Sequence, residues 1–176
     1  MLRDNIVLNK NALIGLVSLT GLACNITYAL ETDKNSPIHI EANQVDMAEK
    51  SGISTYTGDV RLQQGSIKIS ADSIVVYTHN KKLQRIIATG KPAHFSQKPS
   101  KKSDDVKASA NHVEYASASG MLILLDKAKM KQGANLFSGN KIEYDTVNDI
   151  LSAKSSQKSD QRVKAVIQPE TFRETE

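Results

Sequence analysis

The amino-acid sequence predicts an all-β fold in which many short antiparallel strands build a barrel, a sandwich or a roll. Three observations lead to this prediction. Apolar and polar residues alternate through most of the chain beyond residue 36, as they do in strands that bury one face. A short motif recurs at a spacing near 30 residues, which is typical of stacked supersecondary units. No stretch of twelve residues after the N-terminal segment carries a sustained helical stripe of apolar residues.

The recurring motif consists of a small residue, Asp or Asn, any residue, Ile or Val, any residue, and a large apolar residue. Asn and Asp favour turns because they tolerate unusual backbone angles and hydrogen-bond to their own main chain. Each copy therefore predicts a turn followed by a strand with one inward face. The starts of the copies lie 29, 39 and 29 residues apart. The copies begin at Ala42, Ala71, Ala110 and Gly139, and their predicted turn residues are Asn43, Asp72, Asn111 and Asn140.

Further alternating segments lie between the copies of the motif. The longer middle interval contains the polar stretch Gln97–Lys107, which predicts an inserted loop. The other predicted strands, several of them opened by turn residues, are Ile38–Glu41, Thr57–Gln64, Ile67–Ser70, Thr89–Gln97, Met121–Leu125, Asp126–Gln132 and Arg162–Ile167.

The N-terminal segment, residues 1–29, has the pattern of a cleavable secretory signal peptide. Arg3 and Lys10 supply positive charge, the run Ala12–Ala23 is apolar and uncharged, and a cleavage site is predicted before Leu30. A transmembrane helix needs roughly 20 apolar residues, so this run is short for a membrane anchor. An uncleaved anchor is the alternative interpretation.

The remainder of the chain predicts one domain, residues 30–169, followed by a polar tail, residues 170–176. Cys24 is the only cysteine and lies in the predicted signal segment. The secreted domain would therefore contain no disulfide, and its stability would come from apolar burial and strand pairing.

Charge and motifs exclude several classes of function. The formal net charge is +4, and the lysines are scattered without the dense basic stripe and stacking aromatics of nucleic-acid-binding proteins. The four histidines lack metal-ligand spacing, and no nucleophile elbow, phosphate loop or dinucleotide fingerprint occurs. We therefore predict a non-enzymatic protein without a metal or cofactor. A periplasmic enzyme acting on envelope glycans is disfavoured, because no close pair of carboxylates lies on a predicted strand face.

Particular segments resemble the LptA-type family of periplasmic lipopolysaccharide-export proteins, whose domains are of the OstA-like type. The resemblance runs from Ser36 to Pro169. It depends most on the order and spacing of Ser36–Ala42, Thr57–Val60, Gln64–Asp72, Gly90–Phe95 and Arg162–Pro169.

The resemblance implies a twisted, open antiparallel β-jellyroll that carries lipopolysaccharide across the periplasm of a Gram-negative bacterium and shields the acyl chains of its lipid A. It also implies end-to-end assembly of protomers between an LptC-like inner-membrane protein and an LptD-like outer-membrane protein. By the same resemblance, lipid contacts are expected at Ile38, Ile40, Phe95 and Tyr115, with Val76, Val113, Ile142 and Tyr144 as weaker candidates.

The residues themselves suit this work, because an aliphatic lining offers little directional preference that would arrest a sliding acyl chain. We expect the inner faces to line an open groove. An open roll also leaves unpaired edges at its first strand, after Pro37, and at its last, Arg162–Gln168. Strand addition between protomers would satisfy those edges and continue the groove.

Two other interpretations remain. The same apolar residues are those of an ordinary hydrophobic core, the commoner role for alternating apolar residues in β proteins. The protein would then be a structural or adhesin-like β module of the envelope without a lipid ligand.

Overall fold

The computed structural model describes residues 33–98, 104–156 and 162–169. The predicted signal segment with Cys24 and the predicted polar tail lie outside these residues. Within the described ranges no helix has the length and apolar character needed to cross a membrane. A three-residue 3₁₀-helix, Asp33–Asn35, precedes the first strand. The strands are β1 (Ile38–Glu41), β2 (Gln44–Ala48), β3 (Ile53–Gln64), β4 (Ile67–His79), β5 (Lys82–Gln97), β6 (Val106–Ala116), β7 (Met121–Gln132), β8 (Asn135–Asp145), β9 (Ile150–Lys154) and β10 (Lys164–Val166).

All of these strands belong to one antiparallel sheet. From β3 to β8, each strand pairs with its neighbours along the chain. At one end, β1 and β2 pair with different halves of β3, and at the other end β9 and β10 pair with different halves of β8. The sheet does not close into a barrel, which confirms the predicted open antiparallel fold.

The sheet is bent along one line that crosses its strands. In five successive strand pairs the register shifts at the same level, between Thr57 and Val60 in β3 and between Leu125 and Ala128 in β7, for example. A β-bulge bends a strand and increases its local twist. We call this row of register shifts the bend line. It divides each long strand into two halves.

The two halves of the sheet face one another across the bend line. Phe95 pairs with Ala108 on one side of the line, and Tyr115 pairs with Ile86 on the other, yet the two rings lie only 5.6 Å apart between centroids. The first layer contains β2, β9 and the adjoining halves of β3–β8. The second layer contains β1, β10 and the remaining halves. The hydrophobic core lies between these two layers.

The predicted turn residues have a different role from the one expected. Only Asn43 connects two strands, whereas Asp72, Asn111 and Asn140 lie inside β4, β6 and β8 at the bend line. Their tolerance of irregular backbone geometry bends a strand here instead of reversing it. Segments that the sequence divides into separate short strands are consequently two halves of strands that are 11–16 residues long.

Gly58 lies at the bend line in β3, next to Asn43 of the β1–β2 connection. Its φ is +86°, and an added Cβ would lie 2.5 Å from the Asn43 side-chain amide nitrogen. The Gly58 carbonyl also accepts a hydrogen bond of 3.1 Å from the Asn43 backbone N–H. Glycine is therefore required where the β1–β2 connection crosses closest to β3.

Apolar rows run across the strands on the inner face of each layer. Cross-strand partners share a face, so the register aligns one inner residue from every strand. Eight strand segments spaced by about 4.8 Å make each row roughly 34 Å long. In the first layer one row is Val45, Tyr56, Ile74, Ala88, Val113, Leu124, Ile142 and Ala153; in the second layer one row is Ile40, Leu62, Ile69, Phe95, Ala108, Met130, Phe137 and Ala165.

Two segment boundaries predicted from the sequence differ from those in the structure. Strand β5 ends at Gln97 and β6 begins at Val106, so Gln97 and Lys107 belong to strands and not to the predicted inserted loop. The last strand is limited to Lys164–Val166, because only these residues pair with β8.

The burial of the inner rows leads to a stability prediction. Leu124 is 0% exposed, whereas Leu136 is 45% exposed on the outer face. Leu124→Ala should lower the free energy of unfolding by about 2–5 kcal/mol, because it removes buried methyl groups and leaves a cavity. The same change at Leu136 should cost less than about 1 kcal/mol. Urea denaturation measures both, and equal losses would contradict this description of the core.

Candidate functional site

The eight lipid-contact residues predicted from the sequence all face the interior between the layers. Phe95 and Tyr115 are fully buried there, and Ile38 and Ile40 are partly buried against the same core from β1. The weaker candidates belong to the same buried cluster and are Val76, Val113, Ile142 and Tyr144. The structure thus brings together residues that lie up to 106 positions apart in the sequence, from Ile38 to Tyr144.

The register explains how the predicted residues meet. Val76, Tyr115 and Tyr144 occupy one inner row of the first layer. Val113 and Ile142 occupy the next row of that layer. Ile40 and Phe95 occupy an inner row of the second layer, and the tilted contact between Phe95 and Tyr115 joins the layers at the centre of the interior.

The expectation of an open groove is corrected by the packing. The inner side chains of the two layers contact one another, and those in the middle of the sheet are almost fully shielded from solvent. Apolar faces without a guest lower their free energy by closing on each other, since exposed apolar surface costs about 25 cal/mol per Å². A lipid chain could therefore enter only if the layers part.

Sequence reasoning missed several inner residues that are as deeply buried as the predicted ones. Ile86, Leu122 and Met130 are each fully buried, and Leu62 and Ile69 nearly so. The alternating pattern could have identified them as inward facing. The strand register was needed to show that they lie in the same rows as Phe95 and Tyr115.

The inner rows become exposed at both ends of the sheet. Val45 and Met47 continue the first-layer rows into β2 and are 53% and 60% exposed. At the opposite end, strand alternation places Val163 and Ile167 on the same face as Ala165, and Ile167 is 69% exposed. Both ends therefore combine exposed apolar side chains with edge strands that, within residues 33–98, 104–156 and 162–169, pair on one side only.

The edge opposite the bend line is held together by polar contacts, and we call this edge the mouth. It is formed by the turns of the two layers and by Asp33, Lys34, Gln132, Tyr144 and Asp149. The Tyr144 hydroxyl, from the first layer, donates a hydrogen bond of 2.8 Å to Asp149 Oδ1. Gln132 Nε2, from the second layer, donates to the same oxygen at 2.6 Å. Because Asp149 lies in the first-layer turn after β8, the bond from Gln132 joins the two layers, whereas the bond from Tyr144 stays within the first layer.

The other end of the mouth has a second polar group. Asp33 accepts hydrogen bonds from the Ser66 backbone N–H at 2.6 Å, the Ser66 hydroxyl at 2.8 Å and Gln97 Nε2 at 2.9 Å. Lys34 Nζ donates to the Ala118 carbonyl in a first-layer turn at 3.1 Å. Burial raises the pKa of the Tyr115 hydroxyl, and the nearby Asp33 carboxylate raises it further.

Two glutamines carry buried acceptors beside this polar group. Gln64 and Gln97 are both buried, and in the part of the chain that the structure describes their Oε1 atoms have no hydrogen-bond partner. Gln64 uses its Nε2 to donate to the Ser36 carbonyl at 3.1 Å. A buried acceptor without a partner costs about 1–3 kcal/mol, so a donor brought by a guest would be stabilised here.

The described residues include no cluster of three or more His, Cys, Asp or Glu side chains that could hold a metal ion. The histidines are dispersed over the sheet: His39 and His94 lie on the outer face of the second layer, while His112 lies on the outer face of the first.

Comparisons with known proteins agree with this architecture. Residues 39–150 match the family described as LptA/(LptD N-terminal domain) LPS transport protein. The lipopolysaccharide export system protein LptH of Pseudomonas aeruginosa is 32% identical, over 84% of this chain and 88% of its own. The export system protein LptA of Haemophilus influenzae is 30% identical, over 91% of this chain and 92% of its own.

A solved structure extends the similarity to the fold. The crystal structure of Pseudomonas aeruginosa LptH, described as the LptA-homologous periplasmic component of the lipopolysaccharide transport device, superposes with a TM-score of 0.71. The two proteins are 32% identical in this comparison, which covers 78% of this chain and 99% of the LptH chain.

The Tyr144 contacts predict an alkaline loss of stability. Burial and the hydrogen bond to Asp149 raise the pKa of Tyr144 well above its usual value. An unfolded tyrosine ionises near pH 10. The stability contributed by neutral Tyr144 is thus present below that pH and is lost as the pH rises through the raised folded pKa.

Tyr144→Phe should therefore be less stable at neutral pH but should lose stability less steeply between about pH 9 and pH 11. Urea denaturation across this range measures the slope. Leu124→Ala, which is destabilised for another reason, should keep the wild-type slope. A wild-type slope in Tyr144→Phe would contradict the assignment.

Proposed function

We propose that this chain, which belongs to the family of LptA and LptD N-terminal-domain lipopolysaccharide transport proteins, is a periplasmic carrier. The carrier shields the acyl chains of lipid A. In this proposal a cleaved signal peptide directs the chain to the periplasm. The carrier receives lipopolysaccharide from an LptC-like protein at the inner membrane and passes it to an LptD-like protein at the outer membrane. It is not an enzyme, in agreement with a family described as transport proteins.

One observation supports this proposal above the others. The inner rows run across every strand from β1 and β2 at one end to β9 and β10 at the other. The interior is therefore elongated along the direction in which cargo would travel, and its apolar lining is continuous. A core that serves only stability has no need for rows that remain apolar and exposed at both ends.

The energetics favour a guest in this interior. About twenty methylene groups transferred out of water contribute roughly 16 kcal/mol. Contacts between inner side chains would be exchanged for contacts with acyl chains, so the apolar surface stays covered at each step. Movement along the rows would then require little net free energy.

The mouth is the edge where the layers would part. The bend line joins the layers through the backbone of every long strand, whereas the mouth depends on a few side-chain hydrogen bonds. Each of these has a charged partner and contributes about 1.5–3 kcal/mol. The unpartnered Oε1 atoms of Gln64 and Gln97 would accept hydrogen bonds from amide or hydroxyl groups next to the acyl chains.

The filled interior favours one alternative, a structural or adhesin-like β module that binds no lipid. The two functions differ in what reaches the inner face. A lipid carrier must contact lipid through its inward-facing residues, whereas a β module without a lipid ligand makes no such contact.

Photo-crosslinking tests the proposed carrier. A photoreactive residue introduced at Phe95 or Tyr115 should form an adduct with lipopolysaccharide, because both positions lie at the centre of the interior. The matched control is Ile87, an apolar residue on the outer face of the first layer in the same strand as Phe95. Adducts are detected by gel electrophoresis and immunoblotting.

Equal labelling at Ile87 would show that lipid binds without using the interior. Absence of adducts at Phe95 and Tyr115, in variants that unfold like the wild type, would leave the β module as the function.

The exposed ends predict head-to-tail assembly. The two ends of the sheet differ, so strand addition between them is heterologous and can continue into longer chains. Light scattering should show a mass that rises with concentration. Val166→Arg, on the edge strand β10, should reduce this rise, because it places a charge at the proposed contact.

Val147→Arg is the control for this experiment, since Val147 is also exposed but lies in a turn. A wild-type protein that remains monomeric at high concentration would contradict assembly through the ends.

A further inference from the structure

The outer faces of the two layers differ in charge. The two outer rows of the second layer carry six Lys or Arg side chains and one carboxylate, which gives a formal charge of +5. The outer rows of the first layer carry three cations and four carboxylates, which gives −1. The cations of the second layer are Arg61, Lys68, Lys107, Lys129, Lys131 and Lys164, and its carboxylate is Glu41.

The charges of the first layer are largely paired, and those of the second are not. Lys141 and Lys154 both contact Glu143, and Arg85 contacts Glu114. In the second layer Arg61 contacts Asp59 at 3.0 Å. Lys68 and Lys107, by contrast, have no ion-pair partner among residues 33–98, 104–156 and 162–169.

Two of these lysines face each other directly. Lys107 in β6 and Lys131 in β7 are cross-strand partners, and like charges in that position destabilise a sheet. Asp104 and Asp105 lie beside both lysines, but Asp105 already contacts Lys98 at 3.7 Å. The repulsion is thus relieved only in part by the protein itself.

A cleft of about 490 Å³ lies on this basic face. Neutral hydrogen-bonding groups from three adjacent strands, Gln63, Ser70 and Ser96, lie among the cations. Lys68 and Lys107 are two strands apart, which places their backbones about 10 Å from each other. The charged groups lining the cleft are Glu41, Arg61, Lys68 and Lys107, and His39 and His94 lie beside them.

We propose that this cleft binds a phosphorylated saccharide. The lysine ammonium groups would pair with phosphates, while Gln63 and the serine hydroxyls would hydrogen-bond to sugar hydroxyls. A concave cleft of this size fits a discrete glycan better than the flat surface of a bilayer. The choice of an envelope saccharide as the ligand rests on the proposed function; the cleft itself lies outside the interior and needs no acyl chain.

Calorimetric titration tests this site with a probe that cannot enter the interior. The probe is the phosphorylated oligosaccharide obtained by complete deacylation of lipopolysaccharide, and its dephosphorylated form is the comparison. The wild type should bind the phosphorylated form, and added salt should weaken binding by screening the charges. Lys68→Gln combined with Lys107→Gln should lower the affinity about tenfold or more.

The matched control combines Lys50→Gln with Lys82→Gln, at two exposed lysines near turns of the first layer. This control should bind like the wild type. Removal of Lys107 should leave the unfolding free energy unchanged or raise it, because a like-charge contact is lost.

Four results would overturn the proposal: no binding of the phosphorylated probe, equal affinity for the dephosphorylated form, equal weakening by the control variant, or binding to phosphatidylglycerol vesicles without binding to the saccharide. The crosslinking experiment on Phe95 and Tyr115 is independent, so failure of the cleft and failure of the lipid carrier are distinguishable.

Discussion

The structure depends on one constraint: a single sheet with one apolar face must cover that face. Apart from the three-residue 3₁₀-helix Asp33–Asn35, the described residues are strands and their connections, so no α-helix covers this face. The sheet instead bends along one line and places its two halves face to face. The bulges, the long strands and the core between the layers all follow from this way of removing apolar surface from water.

The bend also determines which edges of the protein can change. Covalent backbone crosses the bend line in every long strand, so this edge stays closed. The mouth is held by hydrogen bonds between the layers, such as that of Gln132 to Asp149 and that of Lys34 to the Ala118 carbonyl. Among the described residues, the strands at the two ends pair on one edge, and both ends carry exposed apolar residues. The proposed carrier uses these differences: its interior would open at the polar edge, and its ends would add further copies.

The outer face adds a separate property. Because β-strand residues alternate between faces, the residues next to the second-layer apolar row form a basic surface. The two faces of one layer can thereby serve different chemistry, with Phe95 turned towards the core and its neighbour His94 lining the cleft outside. In the two proposals made above, the inner face contacts acyl chains and the outer face contacts a phosphorylated saccharide.

The sequence by itself determined the strand content and which residues face inward. Side chains alternate between the two faces of a strand, and the apolar residues of this sequence follow that alternation. The strand with one inward face predicted after each motif turn is present for this reason, for example with Val113 and Tyr115 both facing inward. The tertiary structure alone decided that Asp72, Asn111 and Asn140 bend strands and do not reverse them. The same residue chemistry serves a turn and a bulge, and only the hydrogen bonds to neighbouring strands distinguish the two. The contact between Phe95 and Tyr115, the closed packing of the interior and the bonds at the mouth follow from that bend, which joins residues far apart in the chain.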